Sequence, residues 1–153
     1  TSHPSGDVWF TNWGRNYIAR IDVSSGAVST VPLLDPNAGG ARRIWSDSKG
    51  RLWVSTWITG SLQRYDPATN TWRNFKMPGL GPRGYSVYVD ADDYVWVNDF
   101  TSSSVYRFNP TLESFVDFKS PVPVMQILQM NGRGRRIWAG AQGIDQLVLF
   151  EKL

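Results

Sequence analysis

One rare residue recurs along this chain at an almost fixed interval. Trp9, Trp53, Trp96 and Trp138 are separated by 44, 43 and 42 residues, and each follows an aliphatic residue: Val8, Leu52, Val95 or Ile137. Around them four segments align, beginning GDVWFTNW at Gly6, GRLWVSTW at Gly50, DYVWVNDF at Asp93 and RRIWAGAQ at Arg135. Chance does not hold so uncommon a residue in register while repeating its neighbour. A fixed period of about 40–45 residues means stacked structural units, none of which buries its apolar face alone.

Within each unit the polarity alternates with a period of two, as in VWVND, SVYRF and SFVDF. Such alternation between Gly, Pro, Asn and Asp reads as half-buried strands. No amphipathic helix is legible. A full unit holds four strands, A to D. In the second unit they fall near Arg42–Asp47, Leu52–Trp57, Ser61–Asp66 and Thr71–Lys76. In the third they fall near Tyr85–Asp90, Val95–Phe100, Ser104–Asn109 and Ser114–Lys119. Asp66-Pro67 and Asn109-Pro110 supply turn chemistry between C and D, because the side chain caps the local backbone and proline presets φ. Four-stranded units at this period predict an all-β protein made of β-propeller blades of four antiparallel strands. The anchor tryptophans are then expected between blades. Burying one ring removes about 150–250 Å² from water, worth at most about 4–6 kcal/mol.

The strand count predicts about 3.5 blades in one partial propeller. Residues 1–40 make an incomplete blade beginning at strand B, 41–80 and 81–121 make whole blades, and 122–153 make a last blade lacking its outer strand. In that last blade A lies near Met125–Met130, B near Arg136–Gly140 and C near Gln146–Phe150. Propellers close with about four to eight blades. Three arrangements stay open: the C-terminal part of a six- or seven-bladed propeller, half of a self-complementing dimer, or an open monomer. The expected macromolecular partner is therefore a set of missing blades or a second copy of the chain.

Composition narrows the function classes. The net charge of +3 is small and dispersed. Its densest cluster, Arg133, Arg135 and Arg136, sits in a glycine-containing turn. Nucleic-acid binding would need a broader basic stripe, so no nucleic-acid partner is expected. The chain contains no cysteine, which removes disulfides and thiolate metal sites. No apolar run reaches the 18 or so residues of a membrane span, so no membrane partner is expected, and the opening TSHPSGDVWF does not read as a signal peptide. The only histidine, His3, reads as a solvated terminal side chain. Asp90, Asp92 and Asp93 read as a hydrated turn, with a structural Ca²⁺ as the alternative. There is no Gly-x-Ser-x-Gly elbow, no histidine pair and no phosphate-binding glycine loop.

The runs WFTNWGRNYIARID, ARRIWSDSKGRLWVS and PRGYSVYVDADDYVWVNDF resemble the streptogramin lyase (virginiamycin B lyase) family, and residues 6–22 follow its repeat motif nearly throughout. The resemblance covers the whole chain and is specific for the repeat type. It implies a bacterial protein, and the absence of cysteine fits the cytoplasm and the periplasm equally. In the family, seven-bladed propellers linearise a cyclic depsipeptide by Mg²⁺-assisted elimination, with histidines after a proline at inner-strand starts and a glutamate a few residues past the last anchor Trp. Here Arg83 follows Pro82, Arg42–Arg43 and Met125–Gln126 stand at the equivalent stretches, and Gln142 stands where the glutamate is implied. Neutral Gln is no base, and Arg stays protonated.

Two readings follow. One is a ligand-binding or scaffold propeller without the family's catalytic set and with no cofactor evident. The other is a lyase acting on a cyclic peptide or another small substrate, with Mg²⁺. Either places a small molecule or peptide at the mouth of the central channel, where inner strands start and B strands end. That surface is expected to gather Arg42, Arg43, Arg83, Tyr85 and Gln126 from the former, and Trp13, Trp57, Asp99, Phe100 and Gln142 from the latter, with Asn12 and Thr56 beside them. Trp13, Trp57 and Phe100 recur four residues after an anchor Trp. They suit stacking on a ring or sugar, or loop packing between blades. The arginines suit a carboxylate or phosphate, or pairing with Asp47, Asp90 or Asp99.

Overall fold

A computed structural model describes residues 1–35, 39–120 and 122–151. Among the described residues, fourteen strands form four antiparallel sheets. The first holds β1 (Val8–Asn12), β2 (Tyr17–Ile21) and β3 (Val28–Pro32). The second holds β4 (Ala41–Ser46), β5 (Leu52–Thr56), β6 (Ser61–Asp66) and β7 (Thr71–Lys76). The third holds β8 (Gly84–Val89), β9 (Val95–Asp99), β10 (Ser104–Asn109) and β11 (Ser114–Lys119). The fourth holds β12 (Ile127–Arg133), β13 (Arg136–Ala141) and β14 (Gln146–Glu151). Strand order within each sheet follows the chain, so every sheet is a meander of hairpins. The inner strands β4, β8 and β12 contact one another in succession. A 3₁₀ turn spans Gln142–Ile144, and no described helix is long and apolar enough to cross a membrane.

Three apolar clusters lie between successive sheets. Trp9, Ile18 and Leu33 of the first unit meet Ile44, Leu52 and Val54 of the second. Trp53, Leu62 and Phe75 meet Val87, Val97 and Phe108 of the third. Trp96 and Val105 meet Met125, Ile127 and Ile137 of the fourth. Trp9, Trp53 and Trp96 therefore each face the sheet that follows. Trp9, Trp53 and Trp96 are 4, 0 and 1 % exposed, as the repeat predicts. Trp138 departs from that expectation at 39 % exposure. It holds the equivalent register position in its sheet, and no described sheet follows β14 to cover it.

Two polar devices repeat with the tryptophan. Six residues before it, Asp47 and Asp90 accept the indole N–H of Trp53 and Trp96, each at 2.9 Å. The same carboxylates cap the turn from A to B: Asp47 accepts from the N–H groups of Lys49 and Arg51, and Asp90 from those of Asp92 and Tyr94. Two residues after the tryptophan, Thr11, Ser55 and Asn98 donate to the carbonyls of Arg42, Tyr85 and Ile127 on the next inner strand, at 3.0, 2.5 and 3.1 Å. Ser55 and Asn98 also accept the backbone N–H of Arg43 and Ser86 in their own sheets. Those N–H groups lie in bulges of β4 and β8, between Ala41 and Ile44 and between Gly84 and Val87. A bulge leaves backbone groups outside the ladder, and these side chains satisfy one. The fourth sheet lacks both devices, with Gly132 and Gly140 at the corresponding positions.

The N-terminal segment is more ordered than its sequence suggests. Ser2 bridges Val8, and Thr1 and Trp9 exchange backbone bonds, so a stub of inner strand edges the first sheet. His3 corrects the expectation of a solvated side chain. It occupies the position of Asp47 in the repeat and bonds the Gly50 carbonyl at 2.7 Å and the Ser5 hydroxyl at 2.8 Å. A Cβ on Gly50 would sit 2.8 Å from the His3 ring, so glycine suits this turn position, whose φ is +77°. The indole N–H of Trp9, with histidine in place of the capping aspartate, is buried without a partner.

Candidate functional site

The starts of β4 and β8 and the ends of β1, β5 and β9 converge on one rim of the arc. At its centre the Arg42 guanidinium lies 3.5 Å from the ring centroid of Trp13, 4.8 Å from Trp57 and 4.7 Å from Tyr85. Trp57 packs against Phe100 at 5.3 Å, and Tyr85 stacks on Phe100 at 5.4 Å. Trp13 meets Trp57 edge-on at 6.2 Å. Gly40 makes that approach possible, because a Cβ there would lie 2.8 Å from Trp13 and 3.1 Å from Trp57. The three recurrent aromatics thus form a ladder from sheet to sheet around Arg42. They do pack between loops, yet Trp13 stays 44 % exposed, and Trp57, Tyr85 and Phe100 are half-buried.

Arg83 donates to the Trp57 carbonyl at 3.2 Å and lies over the Trp57 ring, tying the third sheet to the second. Arg43 is exposed and donates to the Leu128 carbonyl at 3.3 Å, reaching the inner strand of the fourth sheet. The carboxylates expected to pair with these arginines are engaged elsewhere. Asp47 binds Arg51 at 2.7 Å. Asp90 holds Trp96. Asp99 is only 2 % exposed, and its Oδ1 accepts from the backbone of Arg83 and from the backbone and hydroxyl of Thr101. Asp99 is thus a loop cap inside the rim, not a surface group facing a ligand. Burial, with a smaller push from the neighbouring charge of Arg43, lowers the pKa of Arg42 from its ordinary value.

Beside the ladder, on the axial side, lies a cavity of about 360 Å³ lined by Thr11, Arg42, Arg43, Trp45, Val87 and Gln129 among others. Sequence reasoning did not place Trp45 or Gln129 there. Both lie on inner strands, and a strand's alternation gives no sign of which face meets an axis. Gln142 lines a different hollow, with Leu128, Gly140 and Gln146. Gln126 precedes β12 with φ 48° and lies near Gly143, away from the arginine ladder. Asn12 bonds the Tyr17 hydroxyl, and Thr56 bonds the Ser61 backbone, so both stabilise their own hairpins. His3 sits in the turn from A to B, at the opposite end of the strands from this rim. Among the described residues no three His, Cys, Asp or Glu side chains form a set that could hold a metal ion. Asp90, Asp92 and Asp93 instead serve the turn, with Asp93 accepting from the Ser48 backbone and hydroxyl.

These four sheets and their axial rim define an arc of a β-propeller. No protein-family profile matches the sequence, and neither does any curated protein sequence. Solved structures supply the likeness. Virginiamycin B lyase from Staphylococcus aureus superposes with a TM-score of 0.84 at 19 % identity, over 99 % of this chain and 54 % of that one. A catalytically inactive form of that enzyme with quinupristin gives 0.85 at 18 % identity, over 99 and 54 %. A chain of a nidogen/laminin complex gives 0.82 at 13 % identity, over 99 and 57 %. The chain has a streptogramin lyase-like propeller fold, and it spans about half the length of these structures.

Proposed function

We propose that the chain is a ligand-binding propeller segment of the streptogramin lyase type, recognising a small molecule or peptide at its axial rim without the catalytic residues of that family. The observation that carries this reading is the half-exposed ladder of Trp13, Trp57, Tyr85 and Phe100 around Arg42, beside an open cavity. Aromatic faces and a cation held by stacking rather than by a carboxylate are recognition chemistry. Titration with sugars, cyclic peptides and acidic metabolites, followed by tryptophan fluorescence, tests it. At least one class is expected to alter the emission, and Trp13→Ala is expected to abolish the response. A silent titration across all three classes, or a response that Trp13→Ala leaves intact, overturns it.

A lyase acting on a cyclic peptide is the second reading, favoured by the fold likeness to the enzyme seen with quinupristin. The residues do not fit the Mg²⁺ that this chemistry would use. The described side chains offer no set of three metal-ligating groups, and Asp99 is committed to its loop.

A further inference from the structure

We propose that the cavity beside the aromatic ladder selects an oxyanion, a carboxylate or phosphate carried on a small aromatic body; this rests on the reading of the rim as a ligand site. Elsewhere in the chain Arg20, Arg51, Arg73 and Arg136 each pair with a carboxylate. Arg42 and Arg43, side by side in the β4 bulge, have no such pair among the described residues. Both line the cavity, and no aspartate or glutamate does. The bulge explains why two successive arginines reach the same space, since it interrupts the alternation that would send one to each face.

Their hydrogen-bonding capacity is mostly unspent. Arg43 uses one N–H on the Leu128 carbonyl, leaving the others of its five. The Nε of Arg42 is buried without a partner, and among the described residues its guanidinium is held by stacking on Trp13, Trp57 and Tyr85. Two adjacent cations with no counter-charge repel each other, and an anion between them removes that repulsion while accepting bidentate bonds. Trp45 and Val87 supply an apolar wall, and Thr11 and Gln129 add neutral polar groups. A volume of about 360 Å³ admits a single-ring ligand.

The test uses benzoate, phenyl phosphate, inorganic phosphate and the neutral isostere benzamide, titrated calorimetrically into the intact chain at two salt concentrations. Benzoate or phenyl phosphate is expected to bind at least tenfold more tightly than benzamide, and more weakly at high salt. Which of the two binds better identifies the anion source. Arg43→Gln, on an exposed side chain, is expected to remove that preference, whereas Arg133→Gln in a distant turn is expected to keep it. Equal binding of benzamide overturns the oxyanion selection while leaving a ligand site at the rim. Inorganic phosphate binding as tightly as phenyl phosphate overturns the aromatic body. Retained anion preference in Arg43→Gln overturns the assignment to this cavity. No binding of any probe overturns the inference, and the wider rim reading falls with it only if sugars and cyclic peptides are silent as well.

Discussion

Replacing Asp47 with alanine isolates what the carboxylate six residues ahead of an anchor tryptophan does for the fold. Asp47 is 3 % exposed. One oxygen accepts the backbone N–H groups of Lys49 and Arg51 at 3.0 and 2.9 Å. The other accepts Trp53 Nε1 at 2.9 Å and Arg51 Nε at 2.7 Å. Alanine strands the indole N–H in a ring with no exposed surface, and an orphaned buried donor costs about 1–3 kcal/mol. Breaking a fully buried ion pair costs about 3–5 kcal/mol. The Arg51 side chain retains 16 % exposure, so water recovers part of that loss. The combined cost is about 3–4 kcal/mol. At about 2–4 °C per kcal/mol for a chain of this size, Tm falls by roughly 6–16 °C. Urea unfolding followed by tryptophan fluorescence and far-UV circular dichroism measures it. Asp93→Asn, whose partly exposed carboxylate bonds only the Ser48 turn among the described contacts and whose φ of 62° asparagine also tolerates, is expected to stay within about 1 kcal/mol. Equal losses in the two variants would refute a special role for the buried carboxylate.

Three further outcomes follow from the same geometry. Asn98→Ala removes the acceptor of the Ser86 N–H and the donor to the Ile127 carbonyl, and is expected to cost about 2–3 kcal/mol in the same unfolding assay. Trp96→Ala is expected to cost about 3–5 kcal/mol, while Trp138→Ala, on an exposed ring, stays within about 1 kcal/mol; comparable losses would contradict the directional burial of the repeat. The Asp22 carboxyl is held down to about 2, mainly by the Ser24 hydroxyl and then by the Ser25 backbone N–H. Because its folded pKa lies below the ordinary carboxylate value, its contribution is full above about pH 4 and is lost as pH falls through about 2. A Tm profile over that window is expected to slope less in Asp22→Asn than in the parent chain.

Strand positions were legible in the sequence because each strand declares itself locally. Alternation and turn chemistry place β6, β7, β10 and β11 at the bounds expected for them. Features that depend on a neighbouring sheet were not legible. Trp138 matches its three counterparts by residue type and register, yet burial needs a facing surface. The capping aspartates repeat at a fixed offset, but Asp47 and Asp90 are ordinary turn residues until the indole comes within reach. Thr11, Ser55 and Asn98 differ in type, so their common role shows only when the carbonyl they share in kind is seen. At the rim, Arg42, Arg43, Arg83, Trp13, Trp57, Tyr85 and Phe100 lie near one another; the sequence offered their positions but not these contacts. It did not show that Asp99 turns inward to its loop, that Gln142 lines another hollow, or that Gln126 lies beside Gly143.

The bonds from Thr11, Ser55 and Asn98 run in one direction only, from each sheet to the inner strand of its successor. The backbone that presents Arg42 to the rim is therefore anchored by the first sheet, and the backbone that presents Tyr85 by the second. Inheritance along such an arc is offset from its visible units. A sheet transplanted whole would keep the side chain that satisfies its own bulge but leave behind the donor, on the preceding sheet, that anchors its innermost strand. The exchangeable module begins at a tryptophan-bearing strand and ends in the next bulge, and recombination that respects this boundary would move a rim residue together with its support.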